Sequence, residues 1–287
     1  MINWYLLIAA VFIWSIVYLL ERDVNSTSEK LNIKEIVEYI AIVLGVTAFV
    51  MTAIAMFVSY FILKNDDMAH TCLVIIVCSV VLFLYIKDQQ EKHQKEQARR
   101  AKLSAWAELN SWIYTPDGDW SKANYINLFK RFSQGSNQYV FDVLRGNWQQ
   151  YPADAFNFHY EITSHSSSGS STTHYYFGVV FIHIDKAFSN LIIRPRGFLS
   201  FGGIKFESIE FNRKFIVSSG DARFAYSFCH SKIMQYLLQQ KNIDLELKEN
   251  ILAVFIDCNR LTVEDIEESL NGLVRIRKLM PNYLFRG

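Results

Sequence analysis

The sequence predicts an α+β protein in three parts: an N-terminal transmembrane region of three helices (1–86), a helical stalk (87–115) and a cytosolic domain (116–287). The domain is expected to hold a mixed or antiparallel sheet with helices packed on it. Two observations support this division. The long apolar runs of the chain, which is 51% hydrophobic with a net charge of +1, are concentrated before residue 87. After residue 116, strand-like alternation is followed by helical periodicity.

Three apolar runs predict the membrane spans, at about 4–20, 37–63 and 70–86. A helix needs ~20 predominantly apolar residues to cross a bilayer, a length that the middle run exceeds and the outer two approach. Two spans are the alternative, with the shortest run forming a buried helix instead. With either number of spans, the lipid bilayer is a predicted partner.

Small residues recur at steps of three and four along the middle run, and they line one helix face: Ala41, Gly45, Ala48, Thr52, Ala55 and Ser59. Such faces let helix backbones approach closely in lipid. We therefore predict helix packing here, either among the spans of one chain or through self-association. Glu38 lies on the same face. Its carboxylate either pairs with Lys34 near the interface or forms part of an oligomer interface or pore.

Basic residues in the short loops set the predicted orientation. With the N-terminus outside, Arg22, Lys30 and Lys34 fall inside, as does a basic cluster after the third run, whereas Lys64 falls outside. Because cytoplasmic loops carry the excess of Lys and Arg, the C-terminal domain is predicted to be cytoplasmic.

The stalk is predicted from a change in polarity. Residues 87–100 are mostly polar, and Glu91 and Lys95 lie one helical turn apart, as in a solvated helix. From Leu103 and Trp106 the pattern becomes amphipathic, until the turn residues 116–119 end it.

Strand 154–163 alternates most clearly, with aromatic residues on one face and Asn157, His159 and Glu161 on the other, solvated face. A Ser, Thr and Gly run at 165–173 separates it from an apolar strand and predicts a hairpin. The other predicted elements are strands at 139–144, 175–184, 191–193, 204–209, 214–217 and 251–256, and helices at 121–132, 222–228, 233–238 and from 262 onwards.

A basic cluster is the strongest candidate for a binding site. Arg194 and Arg196 are two apart on a predicted edge strand and therefore point the same way. Two guanidinium groups on one edge suit a phosphate or carboxylate. With Lys205, Arg213 and Lys214 in neighbouring segments they predict an anion pocket. The alternative is a set of solvated charges that protect a sheet edge from pairing.

No catalytic constellation, metal site or cofactor is predicted. The histidines of the domain form no H-x-x-x-H or H-E-x-x-H spacing, and its glycines match neither the P-loop nor the dinucleotide fingerprint. The four cysteines form no zinc pattern and are expected to be buried. The nearly balanced charge argues against a nucleic-acid partner.

Four phrases carry a resemblance that covers about 140–280: LIIRPRGF at 191–198, IEFNRKFIV at 209–217, DARFA at 221–225 and SKIMQYLL at 231–238. They resemble a widespread group of uncharacterised bacterial and archaeal membrane proteins, with N-terminal membrane helices and a cytosolic domain of unknown function. The resemblance implies this architecture and brings no functional residues with it. The predicted location is the bacterial plasma membrane. The layout is also similar, at fold level alone, to membrane effectors of anti-phage nucleotide signalling.

These features favour a signal-responsive membrane protein. Its domain would bind a small anionic ligand, such as a nucleotide messenger, and act on an oligomerising helix bundle, as a membrane-impairing anti-phage effector does. The alternative is a membrane-anchored scaffold that binds another protein and no ligand. A membrane-bound enzyme is the third and least favoured hypothesis, because the sequence has no recognisable nucleophile, base or metal pattern.

Overall fold

The computed structural model describes residues 66–118, 128–166, 169–197, 202–240 and 243–286. The chain divides into two compact units, Met1–Glu96 and Gln97–Gly287. The candidate site described below lies entirely in the second unit.

Helix α1 (Asp66–Leu109) contains the third predicted span, 70–86, and continues through most of the predicted stalk. Within the residues that the structure describes, no helix is long and apolar enough to cross a membrane. The prediction of a three-helix transmembrane region is therefore wrong. The apolar run of α1 gives way to charge at Lys87, and the same helix continues as a mostly polar stretch to Arg100.

The other two predicted spans, 4–20 and 37–63, lie outside the described residues. The small-residue face of the middle run and its carboxylate lie there too: Glu38, Ala41, Gly45, Ala48, Thr52, Ala55 and Ser59.

The described part of the second unit contains one sheet of six antiparallel strands, so the sheet part of the prediction is confirmed. The strands are β1 (Ile113–Thr115), β2 (Ser136–Trp148), β3 (Tyr151–Ser166), β4 (Gly169–Pro195), β5 (Phe215–Ser219) and β6 (Asp244–Ile256). Their order is β1-β2-β3-β4-β5, and β6 also pairs with β4. The 27-residue β4 connects the sheet. Its residues 169–182 pair with β3, 178–193 with β6 and 191–195 with β5.

Four helices follow in the described residues: α2 (Ile209–Lys214), α3 (Ala222–Phe228), α4 (Ser231–Gln239) and α5 (Val263–Leu279). Polar caps fix where two of them begin. The Asp221 carboxylate accepts from the amides of Arg223 and Phe224 at the start of α3, and Thr262 with Asp265 forms a capping box before α5. Single-turn 3-10 helices lie at Lys130–Ser133 and Asn282–Phe285.

Apolar clusters cover both faces of the sheet. On one face, side chains from α1 and from α3 to α5 pack against alternate residues of β3 and β4, such as Ala155 and Ile182. On the opposite face, Phe129 and Phe132 pack with Phe156 and Phe158. Residues two apart on a strand share a face, so Asn157, His159 and Glu161 continue the helix-covered face beyond Ala155. The candidate site lies on that continuation.

Candidate metal centre

Three potential metal ligands meet on the continuation of the helix-covered face. His159 and Glu161 project from the same face of β3, and the β3–β4 register places His174 opposite Glu161. The distances are 3.1 Å between His159 Nε2 and His174 Nδ1, 3.2 Å between His174 Nδ1 and Glu161 Oε1, and 3.9 Å between His159 Nε2 and Glu161 Oε1. In the described part of the chain this is a grouping of His and Glu atoms that could hold one ion.

These distances suit a single metal ion. Zn²⁺ binds histidine nitrogen and carboxylate oxygen at about 2.0–2.2 Å, so two ligands of a tetrahedral ion lie about 3.3 Å apart. The three measured separations bracket that value. Three protein ligands also leave a coordination position for water or another ligand, as in catalytic rather than structural zinc sites.

Asn137 orients two of the three ligands. It lies in a bulge of β2 between Ser136 and Tyr139 and has a φ of 49°, a left-handed conformation that asparagine adopts more readily than most residues. Its carbonyl oxygen lies 3.1 Å from His159 Nδ1, and its Nδ2 donates to Glu161 Oε1 at 2.8 Å.

The contact with the Asn137 carbonyl fixes the tautomer of His159. A backbone carbonyl can only accept a hydrogen bond, so Nδ1 carries the proton and the lone pair of Nε2 faces the other ligands. Metal-bound histidines are held in the same way, by donating the second ring nitrogen to a carbonyl or carboxylate. The bulge in β2 places the Asn137 carbonyl within hydrogen-bonding distance of the His159 ring.

The ligands are unequally exposed. His159 is 1% exposed and lies between the rings of Tyr139 and Tyr176, with centroid distances of 4.4 and 4.7 Å. The Glu161 side chain is 17% exposed and that of His174 is 55% exposed. The inner wall of the site is therefore buried and aromatic, and its outer side is open to solvent.

A cleft of about 280 Å³ shares the Tyr139 wall with this site. It is lined by side chains from α1, β2 and the segment before α5, together with the turn after β1: Arg100, Asp117, Gly118, Tyr139, Val140, Phe141 and Arg260. We call it the Tyr139 cleft. Burial is the main cause that raises the pKa of Tyr139, and contact with Tyr176 adds to it. Arg260 lowers this pKa and Glu161 raises it, so both charges act on the same phenol.

A buried carboxylate supports the floor of the site. Asp142 accepts from Arg99, from Tyr114 Oη at 2.8 Å and from Asn157 Nδ2 at 3.1 Å. Asn157 Oδ1 in turn accepts from the Leu261 amide at 2.8 Å. Burial, followed by the bond to Asp142, raises the pKa of Tyr114. This network joins α1, β1, β2, β3 and the segment before α5, two residues along β3 from His159.

The predicted anion-pocket residues are divided among different partners. Arg194 Nη2 donates to Glu246 at 2.6 Å, and Arg196 donates to the carbonyl oxygens of Asn212 and Phe215 at 2.8 and 3.3 Å. Lys214 Nζ donates to the carbonyl oxygens of Leu238 and Gln240.

The backbone brings Arg196 and Lys214 together, since the Arg196 amide donates to the Lys214 carbonyl at 2.8 Å. Lys205 and Arg213 lie exposed on the turn before α2 and in its last turn. The charge of Arg194 is balanced by Glu246, which Arg131 also contacts. Anion binding by this set stays a prediction.

The helical spacings H-x-x-x-H and H-E-x-x-H do not identify these three potential ligands, because they lie on strands. The equivalent strand signal is His-x-Glu, a period of two that places both side chains on one face. His159 and Glu161 satisfy it, and their shared face is predicted correctly. The prediction that this face is solvated is wrong at Asn157 and His159, which are 0% and 1% exposed. His174 could not be added from spacing alone, because its position opposite Glu161 depends on where the hairpin turns.

No protein-family model matches this chain, and no curated protein matches it. Among solved structures, that of the mycobacterial trehalose monomycolate transport factor A, TtfA, aligns over 63% of this chain and 96% of its own, with 11% identity and a TM-score of 0.44. A likeness this distant carries no argument about function. The resemblance to uncharacterised membrane proteins stays a prediction.

Proposed function

We propose that this protein binds a divalent transition-metal ion, with Zn²⁺ as the reference ion, through His159 Nε2, Glu161 and His174 Nδ1. The observation that carries the proposal is the contact of His159 Nδ1 with the Asn137 carbonyl, which leaves Nε2 facing the other two ligands. The signal-responsive effector and scaffold hypotheses stay predictions, and the metal site favours neither.

The ligand chemistry narrows the class of ion. Two imidazoles and one carboxylate suit Zn²⁺, Fe²⁺, Ni²⁺ or Co²⁺, whereas Ca²⁺ and Mg²⁺ prefer oxygen ligands. Among the described residues, the cluster contains no cysteine. Cys229 lies in the helix-covered core, where burial raises the pKa of its thiol to about 12. Binding through His174 Nδ1 requires the tautomer of His174 that carries its proton on Nε2.

Calorimetric titration of the metal-free, full-length chain with Zn²⁺ tests the proposal. We expect one ion per chain, and a loss of more than about 100-fold in affinity for His159→Ala and His174→Ala. This exceeds the roughly 10–100-fold loss that follows removal of a residue that only hydrogen-bonds a metal ligand. His165→Ala is the matched control, since His165 lies on the same strand beyond the ligands.

Co²⁺ supplies a second measurement, because its visible absorption reports the ligand geometry directly. A Co²⁺ spectrum typical of nitrogen and oxygen ligands, lost in His174→Ala and kept in His165→Ala, supports the site. Equal Zn²⁺ affinity in the wild-type protein and in both ligand variants overturns it.

The role of Asn137 gives a separate prediction. Asn137→Gly keeps the carbonyl and the positive φ, which glycine adopts freely, but removes the Nδ2 donor to Glu161. We expect Zn²⁺ affinity to fall about 10–100-fold, as measured by the same titration. Asn190→Gly, an exposed position on β4, is the control. An unchanged affinity in Asn137→Gly would show that Glu161 needs no such support.

A further inference from the structure

The hairpin formed by the ends of β3 and β4 extends beyond the neighbouring strands of the sheet. We call 162–177 the hairpin arm. β2 pairs with β3 no further than Glu161, and β6 pairs with β4 only from Gly178 onwards. Within the part of the chain that the structure describes, the two strands of the arm therefore pair with each other alone. Every described residue of 162–175 is exposed, so both faces of the arm are in water.

The longer unpaired edge of the arm belongs to β4. It runs from Gly169 to Phe177, and in the described residues no strand lies beside it. Nine residues of strand correspond to about 30 Å. The backbone amides and carbonyls that do not point to β3 point outward along this edge. A row of such groups is a template for pairing with another strand.

Other edges of the sheet are protected. β1 is only three residues long, and β5 is covered where the Ile204 amide donates to the Val217 carbonyl at 2.8 Å. Charged side chains are another usual protection of an edge. The hairpin arm has none of them, since 162–177 contains no Asp, Glu, Lys or Arg in a chain that is 20% charged.

This lack of charge favours a second copy of the chain as the partner. When identical strands pair, like charges come close to each other and oppose the pairing, and here no such charges exist. A charged peptide, in contrast, would find no complementary charge on the arm. Antiparallel pairing of the same edge is also closed, because one contact uses the edge of both copies.

The sizes of the side chains suit an antiparallel pair centred on Thr173, the middle residue of the edge. The tip of one arm then lies along the base of the other. Tyr175 comes opposite Ser171 of the second copy, and Phe177 comes opposite Gly169. Each large side chain thus lies beside a small one. Tyr175 is 40% exposed, and pairing removes part of its ring from water.

We propose that the outer edge of β4, at 169–177, pairs antiparallel with the same edge of a second copy, centred on Thr173. The two arms then form one sheet of four strands, whereas a single two-stranded hairpin is only marginally stable in water. This association needs no metal ion, so it goes beyond the proposed function. Residues opposite each other share a face, and both copies of His174 therefore lie on the same side of the shared sheet.

Sedimentation equilibrium of the full-length chain in EDTA tests the proposal without any metal bridge. We expect the wild type to form a dimer. Thr173→Lys brings two like charges together at the centre of the pair, and we expect it to weaken the dimer by at least about 10-fold. Ser164→Lys is the matched control. It places the same charge on the same face of the arm, but on β3, and it should dimerise as the wild type does.

A charge reversal at the same position shows whether Thr173 meets its own copy. Thr173→Glu alone is expected to be as weak a dimer as Thr173→Lys, and an equimolar mixture of the two variants should recover wild-type association. This recovery also shows that the variants are folded. A monomeric wild type in EDTA, wild-type dimerisation of Thr173→Lys, or no recovery in the mixture overturns the inference. The Zn²⁺ titration is unaffected by any of these outcomes, so the two proposals fail separately.

Discussion

Replacing Asp142 with Asn is expected to lower the free energy of unfolding by about 3–5 kcal/mol, the usual cost of breaking a buried ion pair from one side. The Asp142 side chain is fully buried and accepts from Arg99, Tyr114 and Asn157. Asparagine adds a donor where the network needs acceptors and leaves the charge of Arg99 uncompensated. The backbone does not confound the result, because Asn tolerates the φ of 52° at this position.

Chemical denaturation of the full-length chain, followed by tryptophan fluorescence, measures this effect. Asp185→Asn is the matched control. It removes a carboxylate whose side chain is 67% exposed from an ion pair with Arg277, and such surface pairs contribute at most about 1 kcal/mol. Equal losses in the two variants would contradict a stabilising role for the buried network.

Phe132→Ala is expected to lower the free energy of unfolding by about 3–5 kcal/mol, the range for deleting a buried phenylalanine ring. Phe132 is fully buried in the 3-10 helix Lys130–Ser133. Its ring packs against five other aromatic rings, at centroid distances of 4.9–6.0 Å: Phe129, Phe156, Phe158, Phe177 and Phe255. Four of these rings are held by three strands and cannot close around the space that the ring leaves.

The same denaturation experiment applies, with Tyr283→Ala as the control, since Tyr283 is 59% exposed. We expect the control to change stability by less than about 0.5 kcal/mol. A similarly small effect for Phe132→Ala would mean that this side of the sheet is not packed as a core.

A strand is predicted well from the sequence when its two faces differ in polarity. In 154–163 the alternation is visible because Phe156 and Phe158 face an aromatic cluster while His159 and Glu161 face the site. The prediction fails at 204–209, where Ile204 and Phe206 also alternate. There the Asn212 side chain bonds both the amide and the carbonyl of Phe206, at 3.0 and 2.6 Å. A side chain thus satisfies the backbone groups that a neighbouring strand would otherwise have paired.

The candidate site depends on partners that are distant in sequence. Asn137 contacts Glu161 across 24 residues, and Arg99 reaches Asp142 across 43. The sequence shows the ligand types and the shared face of His159 and Glu161, but the bulge and the strand register that assemble them are properties of the folded sheet. The span at 70–86 was predicted from its apolar residues alone, and within the described residues no helix is long and apolar enough to cross a membrane.

The hairpin formed by the ends of β3 and β4 carries Ser and Thr on both faces, with Thr163 opposite Thr172 and Ser164 opposite Ser171. Polar strands of this kind specify their alignment weakly, and a slip of one residue turns every side chain to the other face. His174 would then leave Glu161. A metal ion with ligands on both strands would cross-link them, and its binding free energy would favour this strand register over the registers shifted by one residue. Loading the site should slow amide exchange out to the tip of the hairpin, well beyond any atom that touches the ion.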